Sequence, residues 1–189
     1  MMADFDLQNL NLYLIGMMGS GKSTTGKLLA QTLGYQFCDS DEVIVQATGL
    51  SIAQIFAEVG EAEFRKIETQ VLSQIAAHTR LVVATGGGIV LERMNWSHLH
   101  HGLIIWLDAD PDTLFSRLKE DTTRPLLQSP DPQQTLQELL AQRQQRYAQA
   151  DLRIRVAAQD APEQVVAAIV AEIPKVLRSR PTIPAPQAS

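Results

Sequence analysis

Residues 16–23 read Gly-Met-Met-Gly-Ser-Gly-Lys-Ser, the pattern G-x-x-x-x-G-K-[ST], and the apolar run Leu12-Tyr13-Leu14-Ile15 stands directly before it. The pattern alone can arise by chance. Here it leaves a short strand of buried type and enters Thr24 to Leu33, a helix-like stretch closed by Gly34, which is the strand–loop–helix context the motif requires. In that context Gly19, Ser20 and Gly21 turn successive backbone N–H groups inward around a polyphosphate, and the helix that carries Thr24 adds the positive end of its dipole. Lys22 reaches the β- and γ-phosphates of a nucleotide and Ser23 ligates Mg²⁺. The bland alternative is a glycine-rich strand-to-helix turn with an exposed lysine.

The chain around this loop has 189 residues, 45% of them apolar, which suits one substantial α/β core and is short for two. Its net charge is −5 with no block of lysine and arginine, so the electrostatic footprint of a nucleic-acid binder is missing. Cys38 is the only cysteine, which excludes an internal disulfide and a cysteine-based zinc cluster and suits a reducing compartment. Met1 to Asn11 carries two aspartates and no apolar stretch of signal length, and no later run approaches a membrane span. A soluble cytoplasmic protein with no membrane partner is expected.

Strand-like runs recur at Leu12 to Ile15, Tyr35 to Cys38, Leu81 to Ala84, Leu103 to Leu107 and Arg153 to Val156, with helical patterns between them. This alternation predicts a five-stranded parallel sheet covered by helices. Ser51 to Gln54 forms a capping box, and Asp110-Pro111, Asp131-Pro132 and Ala161-Pro162 place proline at first helical positions. The pattern over Glu61 to Ala77 sets Phe64, Ile67, Val71, Leu72 and Ile75 on one stripe and leaves Arg65, Glu68 and Thr69 off it. Glu120 to Pro132, with three prolines around Arg124-Pro125-Leu126-Leu127, reads as a mobile loop. The single domain is expected to end at residue 173, with 174–189 a proline-rich tail, disordered beyond about Arg178.

A phosphate loop leaves open what is done with the γ-phosphate. The guanine-reading string Asn-Lys-x-Asp and the switch string Asp-x-x-G after the second strand are both absent from the chain, which disfavours a GTPase. The small size and an arginine on a loop able to close suit a small-molecule kinase. The second strand runs into Asp39-Ser40-Asp41, placing two carboxylates at the carboxyl edge of the sheet, where ligands bind in open α/β folds. The third strand runs into Thr85-Gly86-Gly87-Gly88, whose bare backbone a substrate can approach. Helix capping by Asp39 or Asp41 and a tight glycine turn are the structural alternatives.

With these strings in place, and with Phe64-Arg65-Lys66-Ile67-Glu68, Arg124-Pro125-Leu126-Leu127 and Arg143 four residues before Tyr147, the chain resembles the shikimate kinases from Asn11 to about Ile173. The resemblance implies a P-loop α/β/α fold of nucleoside-monophosphate-kinase type with a mobile lid at about 118–132. It implies transfer of the ATP γ-phosphoryl group to the 3-hydroxyl of shikimate, on the way to chorismate and aromatic amino acids; separately, with no obvious exposed apolar stripe left over, a monomer is expected. It further implies that Arg65, Arg143 and the Gly87 N–H grip the shikimate carboxylate, that Asp41 orders the hydroxyls and orients the nucleophile, and that Asp39 holds Mg²⁺ through water. Lys22 and lid Arg124 would share the charge on the phosphoryl group, with Arg117 and Gln159 beside the adenine. Against these stand plainer readings: Arg65 as a surface pair with Glu61 or Glu68, Arg117 as a surface helix residue, and Arg146 in place of Arg143. The histidines His78, His98, His100 and His101 are read as solvated, with no metal site. A kinase for another polyol acid such as gluconate, and a nucleotide-binding regulator without turnover, remain as alternatives.

Overall fold

Buried apolar strands alternate with helices along the whole described chain. The computed structural model describes residues 7–118 and 131–179. Its strands are β1 (Leu12–Ile15), β2 (Gln36–Asp39), β3 (Leu81–Ala84), β4 (Leu103–Ala109) and β5 (Leu152–Val156). Its helices are α1 (Lys22–Leu33), α2 (Ser40–Thr48), α3 (Ile52–Ala76), α4 (Arg93–Leu99), α5 (Pro111–Leu118), α6 (Pro132–Tyr147) and α7 (Pro162–Ser179), with a 3₁₀ turn over Ile89–Leu91. Arg124 and nearly all of the expected lid lie outside the described residues, as do residues 180–189.

All five strands run parallel in the order β2-β3-β1-β4-β5. In the middle, β1 pairs Leu14 with Ala84 of β3 and Ile15 with Trp106 of β4. Every residue of β1 is buried, as a continuous apolar run in a sheet covered on both faces requires. At one edge β5 alternates, Leu152, Ile154 and Val156 inward and Arg153 and Arg155 outward; at the other edge β2 is only partly buried. Right-handed crossovers set α1 on one face and α3, α4 and the α5–α6 pair on the other. Helix α7 returns to the first face, packing on α1 and β5. Thus β1 sends its chain to one face while β3 and β4 send theirs to the opposite one, and a crevice opens at the carboxyl end of β1.

The structure moves several expected boundaries. Helix α1 starts at Lys22, two residues early, because Gly21 in the left-handed conformation acts as its N-cap. Strand β2 gives up Tyr35 and takes in Asp39. The capping box at Ser51 opens a helix continuous with the one expected from Glu61, and the join is a break at Gly60. Gly60 has φ 78° and ψ 174°, a combination open essentially to glycine alone. Helix α7 runs through Pro174 to Ser179, past residue 173 where the domain is expected to end, and the tail expected to be disordered beyond about Arg178 falls almost wholly outside the described residues. The proline forfeits one helical hydrogen bond, but Val176 and Leu177 beyond it pack against the core and hold the turn. Among the described residues no single helix is long and apolar enough to cross a membrane.

Candidate active site

At the carboxyl end of β1 the phosphate loop folds around its own lysine. Lys22 Nζ donates to the carbonyls of Gly16 and Met17, both at 2.8 Å. Because Gly21 has no side chain to cap α1 and no acid sits in its first turn, the helix presents bare N–H groups and positive dipole to whatever enters the loop. Ser20 is buried in the same loop, and its Oγ makes no hydrogen bond among the described residues. Gly19 and Gly21 shape the loop, and Thr24 is exposed one residue beyond Ser23 on α1. On the neighbouring strand end, Asp39 accepts from Ser23 Oγ at 2.6 Å through one oxygen and caps α2 through the other, which takes Asp41 N–H at 3.0 Å. Capping and contact with Ser23 are therefore both true of Asp39. Arg117, exposed near the end of α5, donates to Gly19 O at 3.4 Å and Ala157 O at 3.1 Å, tying the loop to the turn that carries exposed Gln159.

Beside this half lies a second one built on the three glycines after β3. The residues Asp39-Ser40-Asp41 divide their work: Asp39 faces Ser23, buried Ser40 accepts from Gly86 N–H at 3.2 Å, and Asp41 faces the glycines. A Cβ built on Gly86 would stand 2.9 Å from Asp41 Oδ1 and 2.9 Å from Glu68 Oε1. One on Gly88 would lie inside the Arg65 guanidinium, although the φ of Gly88, −96°, is open to any residue. Bare backbone is required there because the side chains of α2 and α3 come down onto it.

Arg65 is 12% exposed, held by Glu68 at 2.8 Å and by Glu61 at 3.0 Å. Its Nε is buried and makes no hydrogen bond among the described residues. Both surface pairings weighed from the sequence exist, yet the guanidinium they hold is aimed at Gly88. Burial would lower the Arg65 pKa, but the two glutamates carry it upward. Glu68 is 1% exposed; burial raises its pKa, with Arg65 pulling it back and Asp41 adding to the rise.

From α6, Arg143 Nη1 approaches Gly87 O at 3.3 Å and Met17 Sδ at 3.9 Å. Tyr147 OH donates to the same carbonyl at 2.6 Å. Arg146 turns away to Leu91 O at 3.1 Å, so of the two arginines Arg143 is the one beside Gly87. The structure thus brings together Lys22, Ser23 and Asp39 in one half and Asp41, Arg65, Gly87 and Arg143 in the other. Glu68, Ser40, Met17 and Tyr147 are the residues that sequence reasoning missed as parts of the site. Among the described residues no group of three or more His, Cys, Asp or Glu converges on a metal position. A cleft of ≈ 810 Å³ lies elsewhere, between the start of β2 and the end of α3, and is lined by none of the site residues.

A phosphate loop at the switch point of a parallel sheet, faced by an arginine-lined pocket with an acid at its edge, defines a P-loop phosphotransferase acting on a small anionic acceptor. The sequence model of the family described as shikimate kinase matches residues 18–174. A shikimate kinase of Trichormus variabilis is 61% identical over 172 residues, covering 91% of this chain and 95% of the relative. One from Synechococcus sp. strain JA-3-3Ab is 54% identical, with 93% of each covered. Among solved structures, the shikimate kinase of Acinetobacter baumannii in complex with shikimate superposes with a TM-score of 0.84 at 34% identity, covering 92% of this chain and 97% of that one. That of Aquifex aeolicus gives 0.75 at 35% identity, covering 87% and 96%. The chain belongs to the shikimate kinase family, and it is an ATP-dependent phosphotransferase.

Proposed function

We propose that the chain transfers the γ-phosphoryl group of ATP to the 3-hydroxyl of shikimate, giving shikimate 3-phosphate and ADP. The observation that carries the reading is the convergence of Arg65, Arg143 and Asp41 on the Gly86–Gly88 backbone beside the phosphate loop. A ring acid with one carboxylate and several hydroxyls calls for guanidinium forks at one end and a hydrogen-bond acceptor at the other. Arg65, through its buried Nε, Arg143 and the Gly87 N–H take the carboxylate, and Asp41 takes the hydroxyls. The attacking oxygen forms its bond to phosphorus as the bridging bond to the β-phosphate breaks; its proton leaves to Asp41 or to water. Because the transition state is loose, Asp41 contributes mainly by positioning.

Lys22 exchanges its two carbonyl partners for phosphate oxygens, and Arg124, which lies outside the described residues, shares the developing charge. Arg117 and Gln159 flank the adenine. Ser23 and Asp39 fit a magnesium site, since two hard oxygen donors stand in contact at the mouth of the loop. They would hold the ion, Asp39 through water, and the ion would neutralise charge on the β- and γ-phosphates. The protein is read as a cytoplasmic monomer of the route to chorismate, with no nucleic-acid or membrane partner. ADP release by the purified protein with Mg²⁺ and ATP tests the reading. Release with shikimate and not with gluconate or without acceptor is the expected result; ATP binding without shikimate-dependent release overturns it.

A further inference from the structure

Between β5 and α7 the chain makes a short turn, Ala157-Ala158-Gln159-Asp160, which lies beside the phosphate loop. Arg117 joins the two, donating to Gly19 O on one side and to Ala157 O on the other. A Cβ built on Gly21 would stand 3.7 Å from Arg117 Nη1, so the guanidinium occupies the mouth of the loop, between the seat of the phosphates and the turn. Both feet of the turn are fixed. Ala157 follows directly on β5, whose Val156 is in register with Ala109 of β4. Ala161 opens α7, with its N–H held by Gln164 Oε1 at 2.8 Å and its carbonyl accepting from Gln164 and Val165. The tip is different. Ala158 and Gln159 are exposed, and among the described residues neither their backbone groups nor the Gln159 amide makes a hydrogen bond. What folds the tip back is Asp160. Its carboxylate accepts from Ala157 N–H at 2.7 Å, and its own N–H donates to Ala157 O at 3.2 Å. The shorter of these is the one side-chain bond among the described residues that spans the turn, the kind by which an aspartate locks a loop without help from its surroundings.

We propose that Asp160 is a positioning residue for the nucleotide base. Its carboxylate, hooked on Ala157 N–H at the end of the sheet, keeps the Ala158–Gln159 tip folded at a fixed distance from Arg117, so that tip and guanidinium form the two walls of a slot for the purine. The proposal rests on the placing of adenine beside Arg117 and Gln159 above.

Calorimetric titration with ADP and with tripolyphosphate, which has no base, both in the presence of Mg²⁺, separates base from phosphates. Asp160→Ala should weaken ADP about fivefold, the worth of one hydrogen bond, and leave tripolyphosphate within about twofold. The variant also loses a negative charge, which acts on both anions in the same direction. Asp160→Asn loses the same charge but keeps an oxygen that accepts from Ala157 N–H, and should return ADP to within about twofold of wild type. In the ADP-release assay, Asp160→Ala should raise KM for ATP, with KM for shikimate unchanged and kcat within about threefold. Unchanged ADP binding in Asp160→Ala overturns the proposal. So do equal losses for ADP and tripolyphosphate, which mark damage to the phosphate loop or the fold, and an Asp160→Asn no better than Asp160→Ala. Arg117→Ala tells the two readings apart: if it leaves ADP binding at the wild-type value, the adenine placement fails and takes the proposal with it. If it weakens ADP while Asp160→Ala does not, the proposal alone falls.

Discussion

Arg65 is held between two carboxylates of unequal worth. Glu68 is almost wholly buried and paired at 2.8 Å, so removing it leaves a part-buried guanidinium without its main partner. Breaking such a pair costs about 3 kcal/mol. Glu68→Ala should lower stability by about that amount in urea unfolding and raise KM for shikimate at least about tenfold, because Arg65 is no longer held over Gly88. Glu61 has 61% of its side chain in solvent, and Glu61→Ala should cost about 0.5 kcal/mol or less in the same measurement. At Asp41 the expected effect is kinetic: Asp41→Asn should leave ATP binding intact and cut kcat about 10²-fold or more, whereas unchanged turnover removes Asp41 from the mechanism. Tyr147 gives a pH signature. An unfolded tyrosine loses its proton near pH 10 and the native one near 12, so between those values the unfolded chain binds fewer protons and stability falls as pH rises. The full contribution stands below pH 10, and about 3 kcal/mol is lost by pH 12 in wild type but not in Tyr147→Phe, read as the difference between their unfolding curves.

At the scale of elements, the break in α3 decides where Arg65 points. Gly60 ends one helical segment after α2, and the next begins at Glu61, one turn before Arg65. A Cβ there would meet nothing within 4 Å, so Gly60→Ala is opposed by its dihedral angles alone. It should lower stability by about 1–3 kcal/mol in urea unfolding, or straighten α3 and weaken shikimate binding by displacing Arg65. This break marks a limit of sequence reading. A glycine inside a helical pattern reads as a small propensity cost, and its φ cannot be known until α2 and α3 pack together. The phosphate loop and Asp39-Ser40-Asp41 are legible because their geometry is local: a strand end delivers them to the same edge whatever surrounds it. Glu68 and Tyr147 are not, since the Tyr147 hydroxyl meets a carbonyl 60 residues away and Glu68 differs from an ordinary solvated acid only through burial. Arg143 is legible only as one of two arginines, and it is α6 packing that sets Arg143 rather than Arg146 beside Gly87.

At the scale of the molecule, the last described helix continues past Ile173 to Ser179. A chain truncated after Ser179 keeps every described contact and should match the full chain in Tm and ADP release. One truncated after Ile173 loses Val176 and Leu177 from the core and should lose about 2 kcal/mol or more, read as a drop in Tm. The two ends of the sheet carry a different consequence. Strand β5 lies last in the sheet order with Arg153 and Arg155 facing out, and a two-fold antiparallel pairing centred on Ile154 would set Arg153 of one copy opposite Arg155 of the other. Such a pairing would crowd Arg155 against an Arg153 that Asp108 already holds at 2.6 Å, two long cationic side chains on a short edge, and β2 at the opposite end is four residues long and finishes on a carboxylate. Both rims of the sheet thus discourage strand-to-strand growth, which lets a crowded cell hold many copies without their sheets fusing into a fibre.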